Sequence, residues 1–280
     1  MVSLEVSGRP GTLGRNRVSA AAEIVAVAGA GGRTRLPVLS SQVPLVLRRT
    51  PEAVYVVGGA AGPIGGDELE LRISVGPGAF LRVRTAAASI ALPGPDGLES
   101  ALRVTVDVAA GARLEYLPEP VVVSAGARHA TIIRVTLAEG ASLLLRDELL
   151  LGRYGEAGGA CRTELRVTYA GRPLLRQSLE VSGTDAADRG PAVLAGHRGV
   201  GTLLHVESAL DTHPAGANDT PAGQAGRQTA AAVKVQTTAA TVVGQPTVAV
   251  MPLAGPGILV TALANDAVTL RRRLSATPST

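Results

Sequence analysis

Between about residues 23 and 204 the chain reads in short alternating runs, with no sustained helical stripe. Leu69, Leu71, Ile73 and Val75 alternate with Glu70, Arg72 and Ser74, the period of two that a half-buried strand requires. Runs at 53–57, 80–83, 102–108, 113–117, 121–123, 131–137, 142–145, 163–169 and 174–181 predict further strands, and Gly, Pro and Asp punctuate them. A last strand is expected over 247–252. Beyond it, Leu259, Val260, Leu263, Ala264, Ala267, Leu270 and Leu274 form an apolar stripe ending in arginines, which predicts a helix over about 258–274.

Three of the strand pairs share one form: alternating strand, short turn, Gly-Ala, second strand. The Gly-Ala steps are Gly78-Ala79, Gly111-Ala112 and Gly140-Ala141, at near-regular intervals. Glycine permits a corner with positive φ, and alanine allows adjacent layers to approach. The repeat predicts a mainly β fold of layered antiparallel strands resembling a β-solenoid or two-sheet superhelix, with one or two short helices. A plain β-sandwich with Gly-Ala hairpins is the alternative. Gly65 and Gly66 are read as further left-handed corners, where a β-branched residue would be penalised. The 280 residues are read as a single domain, with a loop or loosely ordered insertion at 211–241, rich in Ala, Thr, Gly and Pro, and a tail at 275–280.

Composition narrows the chemistry. One cysteine, Cys161, excludes an intramolecular disulfide framework and a Cys-rich metal site. One Phe, four Tyr and no Trp leave bases or sugars little to stack on. The net charge of +4 comes almost wholly from arginine. Arg82, Arg84, Arg103, Arg113, Arg134 and Arg146 are interspersed with acids, which reads as a solvated strand face and not as a nucleic-acid footprint. No basic segment followed by a long apolar one opens the chain, and no stretch is long enough to span a bilayer, so cytoplasmic residence without membrane association is expected.

The glycines at 58–66 resemble a nucleotide loop but keep neither G-x-G-x-x-G register nor a Gly-Lys-Ser/Thr ending, and another strand follows Asp67. His129, His197, His205 and His213 show no nucleophile elbow or partner in sequence, and Cys161 reads as a small buried hydrophobe. Carboxylates offer more. Asp67 follows a double glycine, Asp147 and Glu148 close a strand, and Glu156 lies in the loop Gly152-Arg-Tyr-Gly-Glu156. Such hard oxygen donors, without softer ligands nearby, would hold a divalent ion weakly. The simpler reading makes Asp67 a turn cap and Arg153–Glu156 a surface pair worth about 0–1 kcal/mol. Paired acids would also suit a carbohydrate-binding or hydrolytic β-solenoid, though such a groove calls for aromatics.

Four ordered segments carry a family resemblance. They are the 58–67 stretch ending Gly65-Gly66-Asp67, Gly78-Ala79-Phe-Leu-Arg-Val-Arg-Thr85, Gly111-Ala112-Arg-Leu-Glu115-Tyr-Leu-Pro118-Glu-Pro120, and Leu151-Gly152-Arg153-Tyr-Gly155-Glu156. Together they resemble the successive motifs of the urease accessory protein D family over roughly residues 50–205. The resemblance implies a layered β scaffold, not an enzyme. It also implies binding to the urease structural subunits and to accessory protein F, which in turn holds the GTPase accessory protein G, for delivery of nickel to urease. No cofactor would be tightly bound; Ni2+ would pass transiently. Asp67 is the best motif-matched waystation, then Glu156, with Asp147 and Glu148 as further candidates. Thr85-Ala86-Ala87-Ala88 departs from the family's Thr-Gln-Ala-Ala, so a role needing that glutamine is not carried over.

Overall fold

The computed structural model describes residues 17–207 and 247–275. Of the tail expected at 275–280, Ser275 instead ends a helix, and the rest lies outside the described residues, as do the expectations for 211–241 and for the first sixteen residues. The first half contains β1 (Ser19–Ala28), β2 (Thr34–Ser41), β3 (Leu45–Arg49), β4 (Val54–Gly58), β5 (Glu68–Val75), β6 (Phe80–Thr85), β7 (Ser89–Ala91) and β8 (Ser100–Val108). The second contains β9 (Arg113–Leu117), β10 (Val121–Val123), β11 (Arg128–Leu137), β12 (Ser142–Leu151), β13 (Ala160–Tyr169) and β14 (Arg172–Val181). It closes with β15 (Gly199–Val206), β16 (Val248–Pro252), β17 (Ile258–Ala264) and α1 (Ala267–Ser275).

Two sheets face each other. One runs β14-β13-β11-β8-β5-β1-β2; the other runs β16-β17-β15-β12-β9-β6-β4-β3, with β10 and β7 attached beside β12. The Gly-Ala repeat builds the coils. At Gly78, Gly111 and Gly140 φ is +66°, +65° and +77°, and Ala79, Ala112 and Ala141 are buried between layers. Each corner stacks on the last: the Arg113 N–H donates to the Ala79 carbonyl and the Ser142 N–H to that of Ala112, both at 2.9 Å. Gly126-Ala127 makes a fourth such corner, with φ +73° at the glycine and the alanine buried.

Strand direction corrects the expectation of antiparallel layers. β1, β5, β8, β11 and β13 pair in parallel, as do β4, β6, β9 and β12. Antiparallel pairing is confined to the flanks, including β1–β2, β3–β4, β13–β14 and the β12–β15–β17–β16 series. Each corner sends the chain across to the opposite sheet instead of back along its own, so every strand lies on its counterpart from the previous turn.

The core between the sheets consists of aliphatic ladders. Ala22, Leu71, Val104, Ile133 and Leu165 are in register across five strands, and Leu81, Leu114 and Leu143 across three of the other sheet. These thin layers need almost no aromatic bulk.

The predicted helix over 258–274 is half strand. Its first part is β17, where Ile258, Val260 and Thr261 suit a pleated surface and both edges find partners, β15 and β16. Only Ala267–Ser275 is helical. The Asp266 carboxylate accepts the Thr269 N–H at 2.8 Å to cap its start. Leu270 and Leu274 are buried in a cluster with Val260, Ala262 and Ala264 on the outer face of the second sheet. At Gly201 a Cβ would stand 2.7 Å from Leu274 Cδ1, so a bare backbone there lets the helix lie down. No helix among the described residues is long and apolar enough to cross a membrane.

Candidate functional site

Consecutive residues on a strand face opposite ways, and Asp147 and Glu148 on β12 show it. Asp147 points between the sheets. Glu148 points outward under α1, with its side chain wholly buried. They therefore do not form the paired acids that hydrolysis across one scissile bond requires.

Asp147 lines a cavity of about 30 Å³ whose wall is half polar, from Thr163, Gln177 and Thr202, and half aliphatic, from Leu149, Leu165, Leu179 and Val200, room for about one or two waters. Gln177 Oε1, on the cavity wall, has no hydrogen-bond partner. Burial, and secondarily the charge of Glu148, push the Asp147 carboxyl up to about 6. Burial, with a contribution from the Asp147 charge, pushes the Cys161 thiol up to about 12; Tyr116 is raised by the same two causes. Cys161 is thus a buried neutral thiol, as its small-hydrophobe reading expects.

Glu148 belongs to a charged cluster beneath the helix. Its Oε2 takes Arg271 Nη2 at 2.7 Å and lies 3.2 Å from Arg146 Nε, while Arg271 also reaches Glu119 at 2.9 Å. Burial lowers the Arg146 guanidinium, and hydrogen bonding to Glu148 raises that of Arg271. The cluster ties α1 to the sheet.

Asp67 is 2% exposed. Its Oδ1 accepts the Val18 N–H at 3.1 Å and its Oδ2 the Ile64 N–H at 2.9 Å, which fastens the glycine turn to the chain entering β1. Substitution Asp67→Ala leaves these buried donors without that acceptor and should cost about 2 kcal/mol, read as a fall in urea midpoint at constant m. A loss of urease activation with an unchanged midpoint would instead assign Asp67 to metal handling.

Glu156 sits at the surface. Arg153 Nε and Nη2 grip its two oxygens at 2.8 and 2.9 Å, and the Arg153 N–H adds a third bond at 2.9 Å. These bonds hold its carboxyl down at about 2. Arg198 staples the same loop by donating to the carbonyls of Leu151, Gly152 and Arg153 at 3.0, 2.9 and 2.6 Å.

A second, larger space of about 560 Å³ lies toward the 58–63 turn, lined by Pro44, Val57, Leu102, Val121 and His129 among others. His129 is buried, and burial pulls its imidazole down to about 4, keeping it neutral. Ser100 Oγ lies 2.9 Å from Nδ1 and Thr131 Oγ1 3.3 Å from Nε2. Sequence reading gave His129 no partner. The contact follows from the parallel register that pairs His129 with Ser100, a relation invisible without the coil geometry.

The structure thus keeps the four candidate acids apart, and among the described residues no three His, Cys, Asp or Glu side chains gather as a metal centre. Asp67, Glu148 and Glu156 are engaged by protein donors, and Asp147 faces an interior cavity.

These features define a two-sheet β-solenoid with broad outer faces and a narrow, partly polar interior. The family model described as UreD urease accessory protein matches residues 19–278. The chain belongs to this family. It is 41% identical to the urease accessory protein UreD of Parafrankia sp. (strain EAN1pec), covering 93% of this chain and 88% of that protein. Identity to the UreD of Frankia alni is 41%, over 96% of this chain and 94% of the relative. To UreD 3 of Streptomyces griseus subsp. griseus it is 44%, over 86% and 88%. Family membership supports a role in urease maturation.

Proposed function

We propose that the chain is a non-catalytic cytoplasmic scaffold for maturation of the urease nickel centre. It docks on the apo-urease structural subunits and binds accessory protein F, through which the GTPase accessory protein G joins. Nickel, the cargo, passes along the interior between the sheets on its way to urease. Family membership supports the assembly role. The observation that carries the interior route is Asp147: a carboxylate pointed into a partly polar cavity between the sheets, with hydroxyl and amide oxygens beside it.

The donor set suits passage more than storage. Nickel binds divalent-metal sites more tightly than iron or cobalt and less tightly than copper, so selectivity is best protected by transfer inside an assembly. A cluster of His or Cys would trap the ion. A single carboxylate with neutral oxygens provides a brief stop. Above pH 6 Asp147 is ionised at a desolvation cost, which a passing cation offsets. Asp67, Glu148 and Glu156, already held by protein donors, serve this reading as secondary stops that would have to release those partners.

Co-expression of urease structural subunits with accessory proteins F and G, with and without this chain, tests the proposal. Urease nickel content and activity should rise several-fold when the chain is present. Equal activation in its absence overturns the reading.

A further inference from the structure

The outer face of the seven-stranded sheet carries a feature that the nickel route does not use. Registers place Arg176 opposite Arg166, Arg166 beside Arg134, Arg134 beside Thr105, and Thr105 beside Arg72. Four arginines and one threonine therefore form a single row across β14, β13, β11, β8 and β5. All four arginines are exposed. Arg166 is paired with Glu164 and Arg72 with Glu70. Arg134 and Arg176 make no ion pair with any described residue.

Like charges directly opposite one another destabilise a sheet, so the row is a cost to the isolated fold. An acidic partner laid along it would remove that cost. Adjacent strands are about 4.8 Å apart, so the row presents cationic groups at that step, with one gap at Thr105. Acidic side chains at i, i+4 and i+7 of an α-helix recur about 5–6 Å apart on one face, close to the step of the row. On an extended strand, same-face residues recur at about 6.6 Å and fall out of step after two contacts. Glu23 lies beside Arg72, and Glu70 and Glu164 flank the row, so the face suits a narrow acidic stripe confined to the arginines better than a broad polyanion such as a nucleic-acid backbone, and no aromatic side chain lies in the row for bases to stack on.

We propose that this face docks a helix of a partner protein that carries an acidic stripe, lying across the strands along Arg176, Arg166, Arg134 and Arg72. The proposal is independent of the metal route.

Fluorescence anisotropy with the full chain and a synthetic 20-residue helical peptide, glutamates at i, i+4, i+7 and i+14 so that the gap at Thr105 is skipped, tests it. A peptide of equal composition with scattered glutamates and a 20-base-pair DNA duplex are the comparison probes. Exposed charge pairs are individually weak, and two of the four arginines already have acidic neighbours, so the expected preference for the striped peptide is about tenfold. Arg134→Gln/Arg176→Gln should weaken its binding several-fold, and Arg134→Glu/Arg176→Glu more, with unchanged circular dichroism because both side chains are exposed and have no ion-pair partner among the described residues. Arg49→Gln, on the other sheet, should leave binding intact. Equal binding of the two peptides overturns the proposal, as does indifference to both double variants. Tighter binding of the duplex, lost in the same variants, would assign the face to nucleic acid instead.

Discussion

Asp147→Asn should stabilise the protein at pH 7.5 while reducing nickel delivery to urease. The half-buried Asp147 carboxyl is raised from its ordinary 3.8 to about 6. A folded-state value above the unfolded one means that the folded state binds the extra proton between those two values. The Asp147 contribution is therefore fully present below pH 3.8 and is lost as pH rises through 6, about 3 kcal/mol in all. Asparagine keeps the shape and cannot ionise. Urea titrations should thus show the variant and the parent nearly equal near pH 4 and the variant ahead by up to about 3 kcal/mol at pH 7.5. In the co-expression assay the same variant should lower urease nickel content several-fold. Two readouts separate two ideas. No pH-dependent gain would mean that Asp147 is well solvated. A gain in stability with undiminished nickel would leave the desolvation account standing and remove Asp147 from the route.

Much of the fold is legible in local patterns. The alternation at 69–75 yields β5, and the Gly-Ala corners yield the stacked coils, because a positive-φ corner followed by a buried small residue is a local requirement of a layered turn. Strand direction is not local. A corner that reverses the chain within one sheet and a corner that crosses to the other sheet use the same residues, so the parallel stacking emerges only when whole turns are superposed. The stripe at 258–264 is ambiguous for a related reason. Leu259, Val260, Leu263 and Ala264 fit a helix face, yet a seat between β15 and β16 outweighs the helical period. The opposite facing of Asp147 and Glu148 follows from their adjacency on a strand. The Ser100–His129 contact and the arginine row require the register of residues roughly thirty apart, and so does the partnership of Glu148 with a helix more than a hundred residues later. Gly65 is a different case: its importance was visible and its reason was not.

Gly65→Ala should be much more damaging than Gly66→Ala, although Gly66 has the unusual backbone. Gly66 sits at φ +92°; an added Cβ there meets the flexible Arg17 side chain at 3.2 Å, so alanine should cost about 1–2 kcal/mol for the left-handed conformation. Gly65 does not adopt positive φ, so the left-handed corner expected of it is not its constraint. A Cβ at Gly65 would stand 2.6 Å from the Gly94 nitrogen and 2.6 Å from the Leu98 carbonyl oxygen, and one at Gly94 would stand 2.5 Å from the Gly65 carbonyl. The two glycines stack backbone on backbone where neighbouring coils meet, beside the Ile64–Leu92 bridge. No side-chain rotation relieves such a clash, so the coils must separate or shift, with loss of the bond from the Gly65 N–H to the Leu92 carbonyl at 3.0 Å. Overpacking of this kind costs about 3 kcal/mol or more. Because both glycines serve one contact, Gly94→Ala should resemble Gly65→Ala, and the double variant should cost less than the sum of the two. Denaturation midpoints of the four variants decide the matter. A larger loss for Gly66→Ala than for Gly65→Ala would show that turn conformation, and not the close approach of successive coils, sets the stability of this end of the solenoid.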